Sequence, residues 1–211
     1  MKAVIIGGGI PPSKELLEEE LSDADVLICA DGGGDCLYKY NKVPDYLLGD
    51  FDSINKEVLE FFMHSNCVIE TYPAEKDCTD SEICFNKAIE LKVSSITMLG
   101  FTGSRLDHFL GNLGLLKKSL DYGVKSIIRD NNNKIFIINE GCTVLAEEGK
   151  FISLQAYSDV VENLCLVGVK YPLRDYMLFK GDLRTISNEF VSKDTLISFD
   201  LGLLLIIIAL D

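Results

Sequence analysis

Two aspartates one residue apart, Asp50 and Asp52, end the apolar run YLLGDFDS at positions 46–53. In an extended segment, side chains two residues apart face the same side, with their Cα atoms about 7 Å apart. Two carboxylates at that separation repel by about 2 kcal/mol at an effective dielectric of 20. A third, Asp77 in KDCTD (76–80), raises the cost to several kcal/mol, comparable to the stability of a small domain. A bound cation removes that cost, and an all-carboxylate set suits a hard ion, Mg²⁺ or Ca²⁺. The spacing is not the calcium loop D-x-[DN]-x-[DN]-G, so Mg²⁺ is the expected ion. Mg²⁺ on few carboxylates completes its shell with water and substrate phosphates. Phosphates need donors as well, and Arg105, Lys76, His108 and glycine amides at strand ends are the candidates. No G-x-x-x-x-G-K-[ST] occurs, so a nucleotide would not be held by a P-loop. Gly7-Gly8-Gly9 is not G-x-G-x-x-G; a tight turn is its expected role, with approach to a phosphate the lesser reading.

Taken singly, these residues have a simpler explanation. Asp52, Ser53, Thr79, Asp80 and Asp107 each precede or open a helical stretch and could each be an N-cap. Arg105 and Lys76 could be surface charges, and His108 could merely start a helix. The set is what argues for chemistry. Asp31, Asp50, Asp52, Asp77, Asp80 and Asp107 all follow strand-like runs, and ligands of an open parallel sheet bind at the C-terminal ends of its strands.

The elements that must position them alternate. Strands are expected over 2–8, 25–34, 45–52, 67–73, 94–101 and 124–130, with helices over 12–21, 35–41, 54–64, 80–91 and 108–123. Apolar strands alternating with helices predict an α/β domain with a mostly parallel sheet over residues 1–130. Beyond the polar turn Asn131-Asn132-Asn133 the helical period vanishes. The runs KIFIINEG, CTVLAEEG, FISLQAYS, NLCLVGVKY and LGLLLIIIAL predict a small all-β, sandwich-like domain over 134–211.

Composition excludes several classes. The formal charge of −13 repels nucleic acid. The run LGLLLIIIAL is half a membrane span, and no signal-peptide pattern opens the chain, so no membrane association is expected. Seven cysteines without CxxC argue against a disulfide framework or a zinc site and for a cytoplasmic protein.

The motifs ADGG (30–33), GDFDS (49–53), KDCTDSE (76–82), GSRLDH (103–108) and GDLRTISNEF (181–190) occur in the order found in bacterial thiamine pyrophosphokinases, which this chain resembles over nearly its whole length. The resemblance implies an α/β domain joined to a β-sandwich and a homodimer with active sites at the subunit interface. It implies transfer of pyrophosphate from ATP to the hydroxyl of thiamine, giving thiamine diphosphate and AMP. Carried over motif by motif, it makes Asp50, Asp52 and Asp77 the Mg²⁺ site. Asp31, Thr79, Asp80, Arg105, Asp107 and His108 would line the ATP and reaction pocket, with Asp31 or Asp107 orienting the thiamine hydroxyl. Ser187 and Asn188 would contact the thiamine pyrimidine. The family often has Gly-Gly-Arg where this chain has Gly103-Ser104-Arg105; a positive φ at Ser104 would cost about 1 kcal/mol and shift the Arg105 loop. With no tryptophan, stacking on thiamine falls to Phe or Tyr, and Phe190 is a candidate. The alternatives are another Mg²⁺-dependent phosphotransferase or phosphohydrolase, or a non-catalytic thiamine-binding module.

Overall fold

The computed structural model describes residues 1–75 and 77–210 and falls into two compact units, Met1–Asn131 and Asn132–Asp211. In the first, six parallel strands form one sheet: β1 (Lys2–Ile6), β2 (Val26–Ala30), β3 (Tyr46–Gly49), β4 (Val68–Thr71), β5 (Ser95–Leu99) and β6 (Lys125–Arg129). Their order is β6-β5-β1-β2-β3-β4. The chain runs outward from β1 to β4, then returns to the far side of β1. The switch in direction therefore lies between β1 and β5.

Right-handed crossovers put the helices of the two directions on opposite faces. On one face Val4 and Ile6 pack with Leu16 and Leu17 of α1 (Lys14–Leu21), Leu37 of α2 (Gly34–Lys39) and Val58 and Phe62 of α3 (Lys56–Met63). On the other, α4 (Asp80–Glu90) lies across β1, β2 and β3, and α5 (Leu106–Asp121) lies against β6. The unbroken burial of VLICA in β2 follows from having helices on both sides.

One buried side chain of α1 is charged. Glu20 lies against the sheet and accepts from Lys2 Nζ at 2.9 Å, Arg129 Nη1 at 2.6 Å and Thr97 Oγ1 at 3.1 Å. These bonds hold its pKa below the ordinary glutamate value, against the burial that would raise it.

The second unit is all β. Its strands are β7 (Asn133–Ile138), β8 (Cys142–Leu145), β9 (Lys150–Ala156), β10 (Val160–Val167), β11 (Leu173–Phe179), β12 (Asn188–Glu189), β13 (Asp194–Ser198) and β14 (Leu204–Leu210). They form two antiparallel sets, β12-β9-β14-β7 and β11-β10-β13-β8. Inward residues of both, among them Leu154, Val161, Leu164, Leu178, Ile197 and Ile206, make one core. The C-terminal leucine–isoleucine run is β14, paired on both sides by β7 and β9. Asn133, read as part of the boundary turn, already belongs to β7.

Three strands, β11, the two-residue β12 and β13, were not expected from the sequence. The pairing of β10 with β11 shifts register twice, and Asn163 and Asp175 take positive φ there. Such irregularity erases the alternation that reveals a strand.

Candidate functional site

β2 and β3 end side by side. After β2 the chain makes a 3₁₀ turn over Asp31–Gly33, with Asp31 buried and at φ +27°. Its carboxylate accepts from the backbone N–H groups of Ser53 at 3.2 Å and Ile54 at 3.1 Å. Gly49, the last residue of β3, leaves the room this needs: a Cβ there would lie 2.8 Å from the Asp31 Cβ.

Asp50 and Asp52 do not sit on an extended segment, as the spacing suggested. Phe51 between them takes φ +62°, and the chain bends so that Asp52 N–H points back to Asp50 Oδ1 at 3.4 Å. The Ser53 hydroxyl donates to Asp52 Oδ1 at 2.7 Å. A left-handed phenylalanine is strained, by about 1–2 kcal/mol, and this strain brings Asp31, Asp50 and Asp52 together. Carboxylate oxygens of the three lie within 4.8 Å of one another. Burial pushes the Asp31 pKa up to about 6; the charges of Asp80 and Asp50 add to the rise, and the two backbone bonds oppose it.

These groups border a cleft of about 900 Å³ above the C-terminal ends of the strands. Its walls include Gly8–Pro11 after β1, Cys78–Ser81 at the start of α4, and Gly100–Arg105 after β5, with His108 and Asn112 on α5. The loops after β1 and β5 continue the strand pairing: Gly7 N–H to Leu99 O, Gly9 N–H to Gly100 O and Ile10 N–H to Thr102 O, all at 2.7–2.8 Å. A Cβ on Gly9 would meet Thr102 O at 2.2 Å. The triglycine therefore serves a close approach of two backbones.

Of the expected site residues, Asp31, Asp50, Thr79, Asp80, Arg105 and His108 line this cleft. Asp52 joins the carboxylate group from an exposed position. Asp77 is exposed on the loop after β4 and is not part of that group. Lys76 lies outside the described residues. Thr79 is the N-cap of α4, accepting from Glu82 N–H at 3.2 Å, whereas α3 is capped by Asn55 rather than Asp52 or Ser53. Arg105 grips Asp107 through Nη2–Oδ2 at 2.6 Å and Nε–Oδ1 at 3.3 Å, on the surface. That guanidinium holds the Asp107 pKa down to about 2. Ser104 is not among the positive-φ residues, so the strain expected there is absent.

In the second unit Ser187 is exposed at φ +56°. Asn188 is buried, and its side chain is occupied: Oδ1 accepts from Tyr171 N–H and Glu189 N–H at 3.0 Å, and Nδ2 donates to Tyr171 O at 2.8 Å. It clamps the turn that exposes the Tyr171 ring. Tyr171, Asn112 and Ser53 leave little trace in the sequence as site residues. The only available signals were an aromatic beside a lysine, an asparagine inside a leucine-rich helix, and a serine already explained as a cap.

Comparison with known proteins covers both units. Residues 17–128 match the model of "Thiamin pyrophosphokinase, catalytic domain", and residues 137–204 that of "Thiamin pyrophosphokinase, vitamin B1 binding domain". The chain is 32% identical to thiamine pyrophosphokinase of Bacillus subtilis (strain 168) over the full length of both. It superposes on the crystal structure of the B. subtilis protein with a TM-score of 0.91, covering all of both chains at 30% identity. For thiamin pyrophosphokinase from Geobacillus thermodenitrificans the TM-score is 0.86 at 30% identity, covering all of this chain and 98% of that one.

Proposed function

The chain belongs to the thiamin pyrophosphokinase family, and from that premise we propose that its cleft holds ATP with Mg²⁺ and passes the terminal pyrophosphoryl group to thiamine, giving thiamine diphosphate and AMP. The observation that carries the reading is the convergence of Asp31, Asp50 and Asp52 on one edge of the cleft, with no cationic side chain among the described residues paired to them. Three oxygen donors of negative charge, partly open to water, fit a hard divalent ion. Asp50 and Asp52 are the ligands we propose, with Asp31 beside them; the place of Asp77 rests on its motif alone. When bound, the ion neutralises phosphate oxygens in a transfer whose transition state is loose and needs positioning more than covalent help.

The protein groups have distinct tasks. The backbone amides of Ser53 and Ile54 fix Asp31, and the Ser53 hydroxyl fixes Asp52. Thr79 acts through α4, whose first turn it caps at the cleft wall. The Arg105–Asp107 pair is exposed and therefore worth little, so a polyphosphate can draw the guanidinium to itself. Asp107 is then released, and with Asp31 it remains a candidate to orient the thiamine hydroxyl.

For thiamine we propose Ser187 as a contact. Asn188 would act one step removed, by holding Tyr171, whose exposed ring offers a face to a cationic thiazolium. We further propose a homodimer in the cytoplasm in which Ser187 completes the pocket built by the partner's aspartates. Exposed Val167 and Leu196, cross-strand neighbours on β10 and β13, supply apolar surface of the kind an interface covers. No disulfide joins any of the seven cysteines, and among the described residues no helix is long and apolar enough to cross a membrane.

Two experiments test these readings. Purified protein with ATP, Mg²⁺ and thiamine should yield AMP and thiamine diphosphate; ADP, free phosphate or no turnover would overturn the assignment. Mixing inactive Asp52→Asn with an inactive Ser187→Ala/Asn188→Ala variant should restore roughly a quarter of wild-type sites, because one pocket of each heterodimer carries neither defect. Absence of rescue after proven subunit exchange would place each pocket within one chain.

A further inference from the structure

Asn112 lies one and a half turns into α5, 8% exposed, and lines the cleft. Its side chain reaches Phe101 O at 2.8 Å. A carbonyl only accepts, so the atom facing Phe101 is Nδ2 and the amide cannot turn over without losing that bond. Oδ1 has no donor among the described residues, and the second Nδ2 hydrogen has no acceptor. The amide thus offers the cleft one acceptor and one donor side by side, in a fixed order. The loops after β1 and β5 and the start of α5 bring apolar Ile10, Pro11, Phe101 and Phe109 to the cleft, together with Arg105 and His108. Thr102 Oγ1, on the same wall, is buried with no partner among the described residues. This end of the cleft belongs to β5 and α5, whereas the carboxylates belong to β2 and β3. With the order β5-β1-β2-β3, the two ends are separated by up to three strand spacings, about 14 Å.

We propose that Asn112 reads the base of the bound nucleotide and makes the enzyme selective for a 6-aminopurine. Asparagine matches adenine through Oδ1 accepting from the 6-amino group and N–H donating to the adjacent ring nitrogen. A 6-oxopurine presents an acceptor where adenine presents a donor, and two acceptors then face each other. Because the Phe101 carbonyl locks the amide, asparagine cannot flip to accommodate the oxo group. A site built around one hydrogen-bonding pattern rejects the ligand that lacks it, since the buried polar atom is left unpaired. The proposal rests on the reading that this cleft takes ATP, and it adds the basis for choosing among nucleotides.

The test compares ATP with inosine triphosphate, which carries an oxygen in place of the 6-amino group and a hydrogen on N1. The parent should prefer ATP in kcat/KM by about tenfold or more. In Asn112→Ala that ratio should fall toward one. Equal use of the two nucleotides by the parent, or an equal loss for both in the variant, would overturn the proposal and leave Asn112 as a mere pin for the Phe101 loop. Should Asn112→Ala not fold, 7-deaza-ATP and purine riboside triphosphate on the parent decide between the two ring edges and no recognition at all. Equilibrium binding of ATP and inosine triphosphate to the parent is measured alongside. Selective binding without pyrophosphoryl transfer would sink the assigned reaction and keep the base-reading role.

Discussion

Glu20 and Asp31 are both buried carboxylates on the sheet of the first unit, one under α1 and one at the end of β2. Glu20 is met by Lys2, Arg129 and Thr97, and its pKa falls. Asp31 is met by two backbone amides and stands beside two further carboxylates, and its pKa rises to about 6. In the first case the protein supplies the countercharge itself. In the second it holds like charges together with strained backbone at Asp31 and Phe51 and leaves the countercharge to come from outside. The difference separates a charge kept for the fold from charges kept for a ligand.

The largest expected break in this contrast is at the ligand end. Asp52→Asn should lower Mg²⁺-dependent turnover by about 100- to 1000-fold, while the melting temperature without metal holds or rises, because one repelling charge is gone. Turnover equal to the parent would remove Asp52 from the metal site. Glu20→Gln should do the reverse. It removes the buried countercharge shared by Lys2 and Arg129, which keep only the exposed Asp23 and Glu19, so denaturant unfolding should show a loss of about 2 kcal/mol, with kcat nearly intact.

The two carboxylates should also differ in the sign of their pH dependence. Glu20 has a folded pKa below its unfolded one, so its contribution is full above about pH 4.5 and is lost as pH falls through the depressed value. Asp31 has a folded pKa above its unfolded one. In metal-free protein its contribution is full below about pH 4 and is lost as pH rises through about 6. Melting curves of the parent against Glu20→Gln and Asp31→Asn across pH 3–7 would show opposite slopes, and Mg²⁺ should flatten only the one from Asp31. The smallest effect belongs to Ser104→Gly. With no positive φ to relieve, it should change the KM for ATP by less than about twofold.

What the sequence disclosed of this contrast was its composition rather than its geometry. Strand-and-helix alternation placed every strand and α-helix of the first unit, because parallel strands covered on both faces are apolar throughout, but it ran the second strand on through the 3₁₀ turn at Asp31–Gly33. The motifs placed Asp31, Asp50 and Asp52 at strand ends. The bend that joins them was hidden, since nothing in GDFDS marks Phe51 as left-handed. Glu20 was hidden for another reason: KELLEEEL reads as an acidic, solvent-facing helix, and its partners Lys2, Thr97 and Arg129 come from three separate strands. In the second unit the bulged pairing of β10 obscured β11, and the side-chain bonds of Asn188 turned an expected contact into a clamp.

The pairing that continues from β1 and β5 into their loops also bears on how the chain folds. Gly7 N–H reaches Leu99 O and Ile10 N–H reaches Thr102 O, so one wall of the cleft joins segments about ninety residues apart. Parallel contacts of that range form late, after the cost of closing a long loop has been met. A chain that has folded only through β4 carries ADGG and GDFDS but no complete cleft. Nucleotide can therefore favour only the finished unit and none of its partly folded forms. Its presence during refolding should draw the population toward completion rather than rescue intermediates.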